Sequence, residues 1–466
     1  MKKIYILAAI ALVAGASCTK QVPADNNSPD VAIGFTPISQ RTVTKGQVFG
    51  EQLTNYLGPD ESNPAYENFL AYAAYTQNNT TIPSADFFPA AGVECLYNAT
   101  TASEIKDYWA PAEPYYWPKA GYLTFHAFSP SKWTDSDGST DIGYAGTVTN
   151  NWTPTSSATG GITVSGFTAG TNKAKQIDIL YSNIEAYKQR SMYTPENGMP
   201  YDDKTGGDVG AHNGVNIMFN HAMSAVKFRV VTDKDYAPST GNYKHEFTVK
   251  QIDVWHVNTD GEFHENRAFN NASNLDAYAN VPDGVTKYVT KNQNNANTAT
   301  PYWIPSETPE KNYEEVFKGS QVVKTIDTSA PTTAQVDAAG DFGLYGDFIF
   351  PMPQFLSHGL GDGSSAGNNQ VMVKVTYDYK FTLNGSETTY SGLTTTVSLA
   401  GNYAKKYDGN DTTSGGTTDG YQVNNWLINH KYFYTLVFKL DPIIFDPKVD
   451  VWVNVEDINV DLPYQN

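Results

Sequence analysis

Carboxylates and histidines are the side chains of this chain that could carry out hydrolysis or bind a metal. The 49 Asp and Glu residues make chance pairs unavoidable, and none of them stands in a motif with a geometry of its own. The sequence contains no G-x-S-x-G, no H-E-x-x-H and no phosphate-binding glycine loop. The eight histidines lack the spacing of metal ligands, and we interpret His221 as a hydrogen-bonded structural residue. The sequence therefore predicts no enzyme, no metal site and no cofactor.

One acidic segment has the appearance of a calcium loop. Asp135, Asp137 and Asp141 lie around Gly138, which is a spacing that calcium loops use. The segment lacks the glutamate that ends such a loop, and it lacks the full set of oxygen ligands. We therefore interpret it as a solvated turn.

An aromatic cluster runs from Tyr108-Trp109 to Tyr115-Tyr116-Trp117. Exposed aromatic rings stack on sugars, so the cluster could form a carbohydrate-binding surface. Alternatively, the rings fill a core and cover the end of the strand before Leu123. Because the rings stand directly beside turn residues, the sequence favours the core interpretation.

The charge of the chain limits its partners. The formal net charge is −18, from 31 Lys and Arg against 49 Asp and Glu. A chain this acidic is a poor candidate for binding nucleic acid or anionic lipid through electrostatic attraction. Only 17% of the residues are charged, and 13% are aromatic, which argues against disorder because such a chain can bury its rings.

The first residues have the features of an export signal. A short basic start is followed by an apolar run that ends near Ala14, and small residues precede Cys18. The small residues before Cys18 resemble the lipobox of bacterial lipoproteins, although Gly15 stands where Leu or Val is usual. The resemblance implies cleavage after residue 17 and attachment of lipid, including palmitate, to Cys18. The mature chain would carry a net charge of −20. Cys95 would then have no disulfide partner, so we interpret Cys95 as a small buried apolar residue.

Apolar residues alternate with other residues in many short runs, which is typical of β-strands. Tyr66–Tyr75 and Thr101–Tyr108 are the only candidates for helices. A stretch rich in Gly, Pro, Asn and Asp favours a domain boundary near residues 195–214. The sequence thus predicts an all-β protein of two β-sandwich domains. Its predicted parts are a signal peptide (1–17), a tether (18–30), an N-terminal domain (31–190), a linker (191–212) and a C-terminal domain (213–466).

Nine segments spread over the chain form a recognisable series in their order and spacing. They are VAIGFTPISQRTVTKG (31–46), FLAYAAY (69–75), YYWPKAGYLTFHAFSP (115–130), QIDILYS (176–182), FNHAMSAVKFRV (219–230), FIFPMPQ (348–354), VMVKVTYDY (371–379), NHKYFYTLVF (429–438) and IIFDPKVDVWVNV (443–455). Together with the lipobox at Cys18, they resemble the fimbrillin family of Bacteroidetes, the Mfa-like and FimA-like subunits of type V pili. The resemblance implies two transthyretin-like sandwiches of the immunoglobulin-like Greek-key type in tandem, export as an outer-membrane lipoprotein, and a place in surface fibres used in adhesion.

The same resemblance implies assembly by strand exchange. The first strand, Val31 to Phe35, is followed by Arg41, which matches the position where an arginine-specific protease cuts some family members. Lys45 is a second candidate for the cut. A sandwich that loses its first strand exposes unpaired backbone and an apolar groove, which a strand of another subunit can fill. The other interpretation of Arg41 is an ordinary surface residue at a strand end.

The C-terminal tail, residues 449–462, is the candidate donor. Its apolar residues alternate, shift register after Glu456-Asp457, and then continue. The other interpretation is a pair of ordinary strands in their own domain, which would suit a tip or anchor subunit. The candidate donor residues are Val449, Val451, Val453, Val455, Ile458, Val460 and Leu462.

The sequence leaves two functions open. The first is a structural subunit of a fimbria, with other fimbrial subunits and membrane lipid as partners and with an unknown host or bacterial surface ligand. The second is a surface lipoprotein that binds glycans for uptake through exposed Trp and Tyr side chains. A glycoside hydrolase is a distant third, because no two carboxylates can be nominated across a cleft.

Overall fold

The structure is a computed structural model of the chain. It describes residues 32–39, 69–83, 85–97, 109–131, 145–151, 159–171, 178–190, 214–232, 243–281, 288–289, 299–306, 311–327, 344–356, 370–400, 402–407, 421–438, 444–445, 448–449 and 455–461. All regular elements among these residues are β-strands, which confirms the all-β prediction. The described residues include no helix able to cross a membrane.

The first sheet closes on itself. Its order is β10-β6-β9-β11-β1-β5-β4-β2-β3, and a further pairing of β6 with β2 joins seven of the nine strands into a ring. Its strands are β1 (Phe35–Ser39), β2 (Phe69–Thr76), β3 (Ala85–Asp86), β4 (Val93–Tyr97), β5 (Trp109–Pro111), β6 (Tyr122–Ser129), β9 (Leu180–Ser182), β10 (Glu185–Lys188) and β11 (Val215–His221).

The second sheet packs against this ring and has six strands. Its order is β15-β8-β14-β17-β16, with β7 paired to β8. Its strands are β7 (Ala145–Asn151), β8 (Thr159–Thr168), β14 (Asp260–His264), β15 (Arg267–Ala268), β16 (Tyr288–Val289) and β17 (Tyr302–Pro305). The sheet joins strands from before and after the predicted linker.

The remaining strands surround a second core. A four-stranded sheet has the order β18-β13-β21-β22, an eight-stranded sheet contains β19-β12-β26-β27-β29-β23-β24 with β28, and β20 pairs with β25. Their bounds are β12 (Ala225–Thr232), β13 (Tyr243–Val257), β18 (Lys311–Asp327), β19 (Leu344–Ile349), β20 (Gln354–Phe355), β21 (Met372–Leu383), β22 (Ser386–Ser398), β23 (Asn402–Tyr407), β24 (Tyr421–Val423), β25 (Asn425–Trp426), β26 (Lys431–Phe438), β27 (Ile444–Phe445), β28 (Lys448–Val449) and β29 (Val455–Asp461).

The two cores meet between β11 and β12. Up to Met223 the buried apolar residues belong to the first core, and Val226 is the first residue of the second core. Some later residues, such as Phe263 and Trp303, again belong to the first core. The predicted linker 191–212 lies outside the described residues, so the domain boundaries stay a prediction. The described strands show that β11 belongs with the N-terminal sheet.

One helix candidate is wrong. The segment predicted as a helix over Tyr66–Tyr75 contains β2, which pairs with β6 over seven residues. Ala71, Ala73 and Ala74 favour helix locally, but their small side chains fit a strand that is buried on both faces. Tertiary packing therefore outweighs local propensity here. The other candidate, Thr101–Tyr108, lies outside the described residues.

A buried charge cluster, here called the Glu265 cluster, ties the first sheet to the second. The Glu265 carboxylate contacts His126 Nε2 of β6 at 2.8 Å and Arg267 Nε of β15 at 2.6 Å. It also accepts the Ile162 N–H of β8 at 2.8 Å. Arg267 donates in turn to the Ser182 carbonyl at the end of β9, at 2.7 Å. The cluster therefore fixes four strands of two sheets through one buried carboxylate.

The charge of Glu265 depends on its neighbours. Burial raises the pKa of this carboxyl, but His126 and Arg267 lower it more, to about 2 from an ordinary value of 4.5. The ionised group therefore stabilises the fold fully above about pH 4.5. That stabilisation is lost as the pH falls toward the folded-state pKa.

Replacement of Glu265 by Gln should lower the free energy of unfolding at neutral pH by about 3 kcal/mol, because the buried Arg267 loses its buried carboxylate partner and keeps the partly exposed carboxylate of Asp276. It should also flatten the loss of stability between about pH 4.5 and pH 2. Urea unfolding at neutral and acidic pH measures both effects. Glu262→Gln is the matched control, since Glu262 is 39% exposed and pairs with the partly exposed His264. Equal effects of the two variants would contradict the prediction.

Candidate functional site

The first strand lies inside the closed ring. β1 pairs in parallel with β11 over all five of its residues, from Phe35 with Val215 to Ser39 with Phe219. On its other side the described pairing joins Phe35 to Trp109 of β5. β1 is therefore an inner strand that pairs with β11 on one side and with β5 on the other.

The residues before β1 continue the contact with the chain around β5. Ala32 forms an antiparallel bridge with Tyr116, and the Ile33 N–H donates to the Tyr115 carbonyl at 2.8 Å. The strand predicted over Val31 to Phe35 thus lies four residues further along, at Phe35–Ser39. The prediction placed the strand correctly at Phe35 and missed its extension through Pro37.

Two side chains of this segment enter the first core. Ile33 and Phe35 are buried, as their alternation predicts. The Phe35 ring packs edge-on against Phe69 and Phe125, with ring centroids 5.9 and 5.4 Å apart. Removal of this strand would leave an apolar gap lined by those two rings.

Gly214 sets the distance between β1 and the entry to β11. Its φ is +145°, and a Cβ at this position would stand 2.3 Å from the carbonyl carbon of Gly34. The adjacent Val215 N–H donates to the Gly34 carbonyl at 2.9 Å. The sequence analysis does not predict this close approach. The available signal is a glycine directly before the alternating Val215, Ile217 and Phe219.

The residues predicted for lipidation and cleavage, Cys18, Arg41 and Lys45, lie outside the described residues and stay predictions. Ser39 is the last described residue of the first segment, so Arg41 follows the end of β1 by two positions. The structure therefore describes the strand that a cut would release, but not the cut site.

The predicted donor tail is described in part. Val449 stands in β28, and Val455, Ile458 and Val460 stand in β29. β29 pairs with β23 over five residues and also with β27, β28 and one residue of β26. The described part of the tail is thus hydrogen-bonded within its own sheet. Val451, Val453 and Leu462 lie outside the described residues, and the donor role stays a prediction.

The aromatic cluster belongs to the core. Trp109 is fully buried and Trp117 is 4% exposed, which confirms the core interpretation for both indoles and excludes sugar stacking on them. The Trp109 ring packs on Phe69, and the Trp117 ring packs on Phe125. Tyr116 is exposed, at 48%, and Tyr108 lies outside the described residues.

The reactive side chains of the first core are structural. His221 hydrogen-bonds the Asp178 carboxylate in the buried interior, as predicted for a structural histidine. Burial raises the pKa of the Cys95 thiol, which remains a protonated, buried group. Among the described residues there is no group of three or more potential metal ligands. The calcium-like segment around Gly138 lies outside them.

Comparison with known proteins yields solved structures only. No protein-family model matches the chain, and neither does any curated protein. A fimbrial protein from Bacteroides vulgatus ATCC 8482 is 13% identical, with 91% of this chain and 99% of that chain covered and a TM-score of 0.39. The tip fimbrial protein Mfa3 from Porphyromonas gingivalis, with a C-terminal truncation, is 8% identical, with 93% and 100% covered and a TM-score of 0.30.

Replacement of Gly214 by Ala should loosen β1, because the new Cβ clashes with the backbone of Gly34. We expect amide exchange at Ile33 and Val215 to become at least about tenfold faster, which corresponds to about 1.4 kcal/mol of local stability. Hydrogen exchange followed by mass spectrometry measures it. Gly166→Ala is the control, since Gly166 also has a positive φ but no atom within 4 Å of the added Cβ. Unchanged protection of β1 in Gly214→Ala would contradict the prediction.

Proposed function

We propose that this chain is a structural subunit of a cell-surface fimbria involved in adhesion, exported as a lipoprotein through Cys18 and assembled by strand exchange. The observation that carries the proposal is the position of β1. It is an inner strand of a closed ring, yet it is the first strand along the described chain and ends two residues before Arg41. A single cut after Arg41 would therefore separate an inner strand from the rest of the fold.

The gap that such a cut creates has the properties of a strand-binding site. β11 would lose its parallel partner over five residues, and the core would lose Ile33 and Phe35. Unpaired backbone next to an apolar gap binds an extended segment by adding it to the sheet, with alternate side chains filling the gap. The occupant needs apolar residues at every second position.

The C-terminal tail supplies that pattern in the proposal. Ile458 and Val460 alternate in β29, and Val449 precedes them in β28. In a subunit whose tail keeps its pairing with β23, the gap would still accept a strand from a neighbour, and the chain would act as a tip or anchor.

Sequencing of the mature N-terminus of chains extracted from surface fibres tests the stalk version of the proposal. We expect chains that begin at Thr42, after Arg41, or at Gly46, after Lys45. Arg41→Ala combined with Lys45→Ala should keep the chain lipidated at Cys18 and reduce its incorporation into fibres. Arg190→Ala is the control, because Arg190 is the next arginine along the chain. Recovery of only the Cys18 form from wild-type fibres would remove the stalk role and leave the anchor role.

A further inference from the structure

The hairpin of β21 and β22 ends in an exposed Asn-Gly turn. Asn384 and Gly385 form this turn between Leu383 and Ser386, which pair with each other. All four residues are exposed. The φ angles of Asn384 and Gly385 are +49° and +83°, and positive φ at both central residues is what a two-residue hairpin loop of this kind requires. The turn therefore presents an asparagine followed by a glycine to solvent.

An asparagine and the residue after it hold an electrophile and a nucleophile side by side. The backbone nitrogen of Gly385 can attack the side-chain amide carbon, Cγ, of Asn384. A bond forms between these two atoms, and the bond from Cγ to the amide nitrogen breaks, so that this nitrogen leaves as ammonia with the proton of the Gly385 N–H. Water then opens the resulting five-membered succinimide at either carbonyl. The reaction exchanges ammonia for water without oxidation or reduction, and it leaves aspartate or isoaspartate.

The surroundings of Gly385 leave its nitrogen accessible. Glycine has no side chain to hinder the attack. Apart from its chain neighbours, no atom of the described residues lies within 4 Å of a Cβ built on Gly385. In a two-residue loop the flanking residues, here Leu383 and Ser386, make the ladder hydrogen bonds, so the ladder does not use the Gly385 N–H.

Asn266 is the contrasting asparagine. Its φ is also positive, +58°, but Asn266 is buried. Its side-chain amide donates to the carbonyls of Ala279 and Thr300, at 2.6 and 3.1 Å. Arg267, which follows it, pairs with Gly160 of β8. The amide and the next backbone nitrogen are therefore held in place at Asn266, whereas the exposed turn at Asn384 leaves both accessible.

The closed turn still restrains the reaction. Ring closure needs a rotation about the Cα–C bond of Asn384, and the fixed dihedral angles of a two-residue turn prevent it. The tip of the hairpin must therefore open first. Burial falls along the hairpin from Val373 and Val397 at its base to Leu383, which is 44% exposed, so few buried contacts oppose opening at the tip.

We propose that Asn384 is a site of spontaneous conversion to aspartate and isoaspartate, and that opening of the hairpin tip sets its rate. Aspartate keeps the loop and adds a negative charge. Isoaspartate adds an extra carbon atom to the backbone, so the turn is no longer a two-residue loop and the Leu383–Ser386 pair is lost. The proposal does not depend on fimbrial assembly.

Peptide mapping by mass spectrometry tests the site in the folded mature chain with Cys18→Ser, after incubation at neutral pH. We expect conversion at Asn384 to be at least about tenfold faster than at Asn266. Asn384→Gln should abolish it, because glutamine would have to close a larger ring. The peptides that contain the other two Asn-Gly pairs, at 197–198 and 213–214, are separate and are measured separately. An intact Asn384, or equal rates at Asn384 and Asn266, would overturn the proposal.

A reversible cross-link tests the role of tip opening. Thr382 lies opposite Glu387, in the pair next to the one that flanks the turn. This is a non-hydrogen-bonded pair, whose short Cα separation suits a disulfide. Thr382→Cys with Glu387→Cys should therefore slow conversion of Asn384 at least about tenfold when oxidised, and reduction should restore the rate. The native Cys95 is buried and should stay unreactive. An unchanged rate in the oxidised chain would overturn the role of tip opening.

Discussion

The hydrogen bonds that β1 makes with β11 on one side and with the chain around β5 on the other close the first sheet into a ring. All five residues of β1 pair with β11, and Phe35 pairs with Trp109 of β5 on the other side. Ile33 and Phe35 complete the core at this position. Any process that removes β1 therefore opens both a backbone edge and an apolar gap, and the fold needs an occupant there.

The rest of the ring is fixed by interactions that do not involve β1. The Glu265 cluster ties β6, β8, β9 and β15 together, and the Trp303 indole donates to the Ala222 carbonyl at 2.8 Å just after β11. These contacts hold β6, β9 and the end of β11 in their positions without any contribution from β1. An incoming strand would then meet a largely preformed site, and less of its binding free energy would be spent on ordering the groove.

Alternation of apolar residues in the sequence predicts where the strands lie better than it predicts which strands pair with each other. The runs at Leu123–Ala127 and Val226–Val230 lie in β6 and β12, because alternate burial is a local property of a strand. The pairing of β1 with β11 joins residues about 180 positions apart, and Glu265 meets His126 across 139 positions. No local pattern encodes such contacts. The buried alanines of β2 show the opposite failure, in which a local preference for helix is outweighed by packing.

The position of β1 just before Arg41 also determines how a cut after Arg41 would act. Burial of Ile33 and Phe35 contributes about 1.5–3 kcal/mol each, and a donor with two alternating apolar residues contributes a similar amount. Contacts alone therefore do not favour the donor over the native strand. While β1 remains tethered, its effective concentration at the gap is in the millimolar range or above, so a competing strand is at a disadvantage. A cut after Arg41 would remove the tether without changing any contact. A donor strand that is held close to the gap would then have the higher effective concentration there and would replace β1.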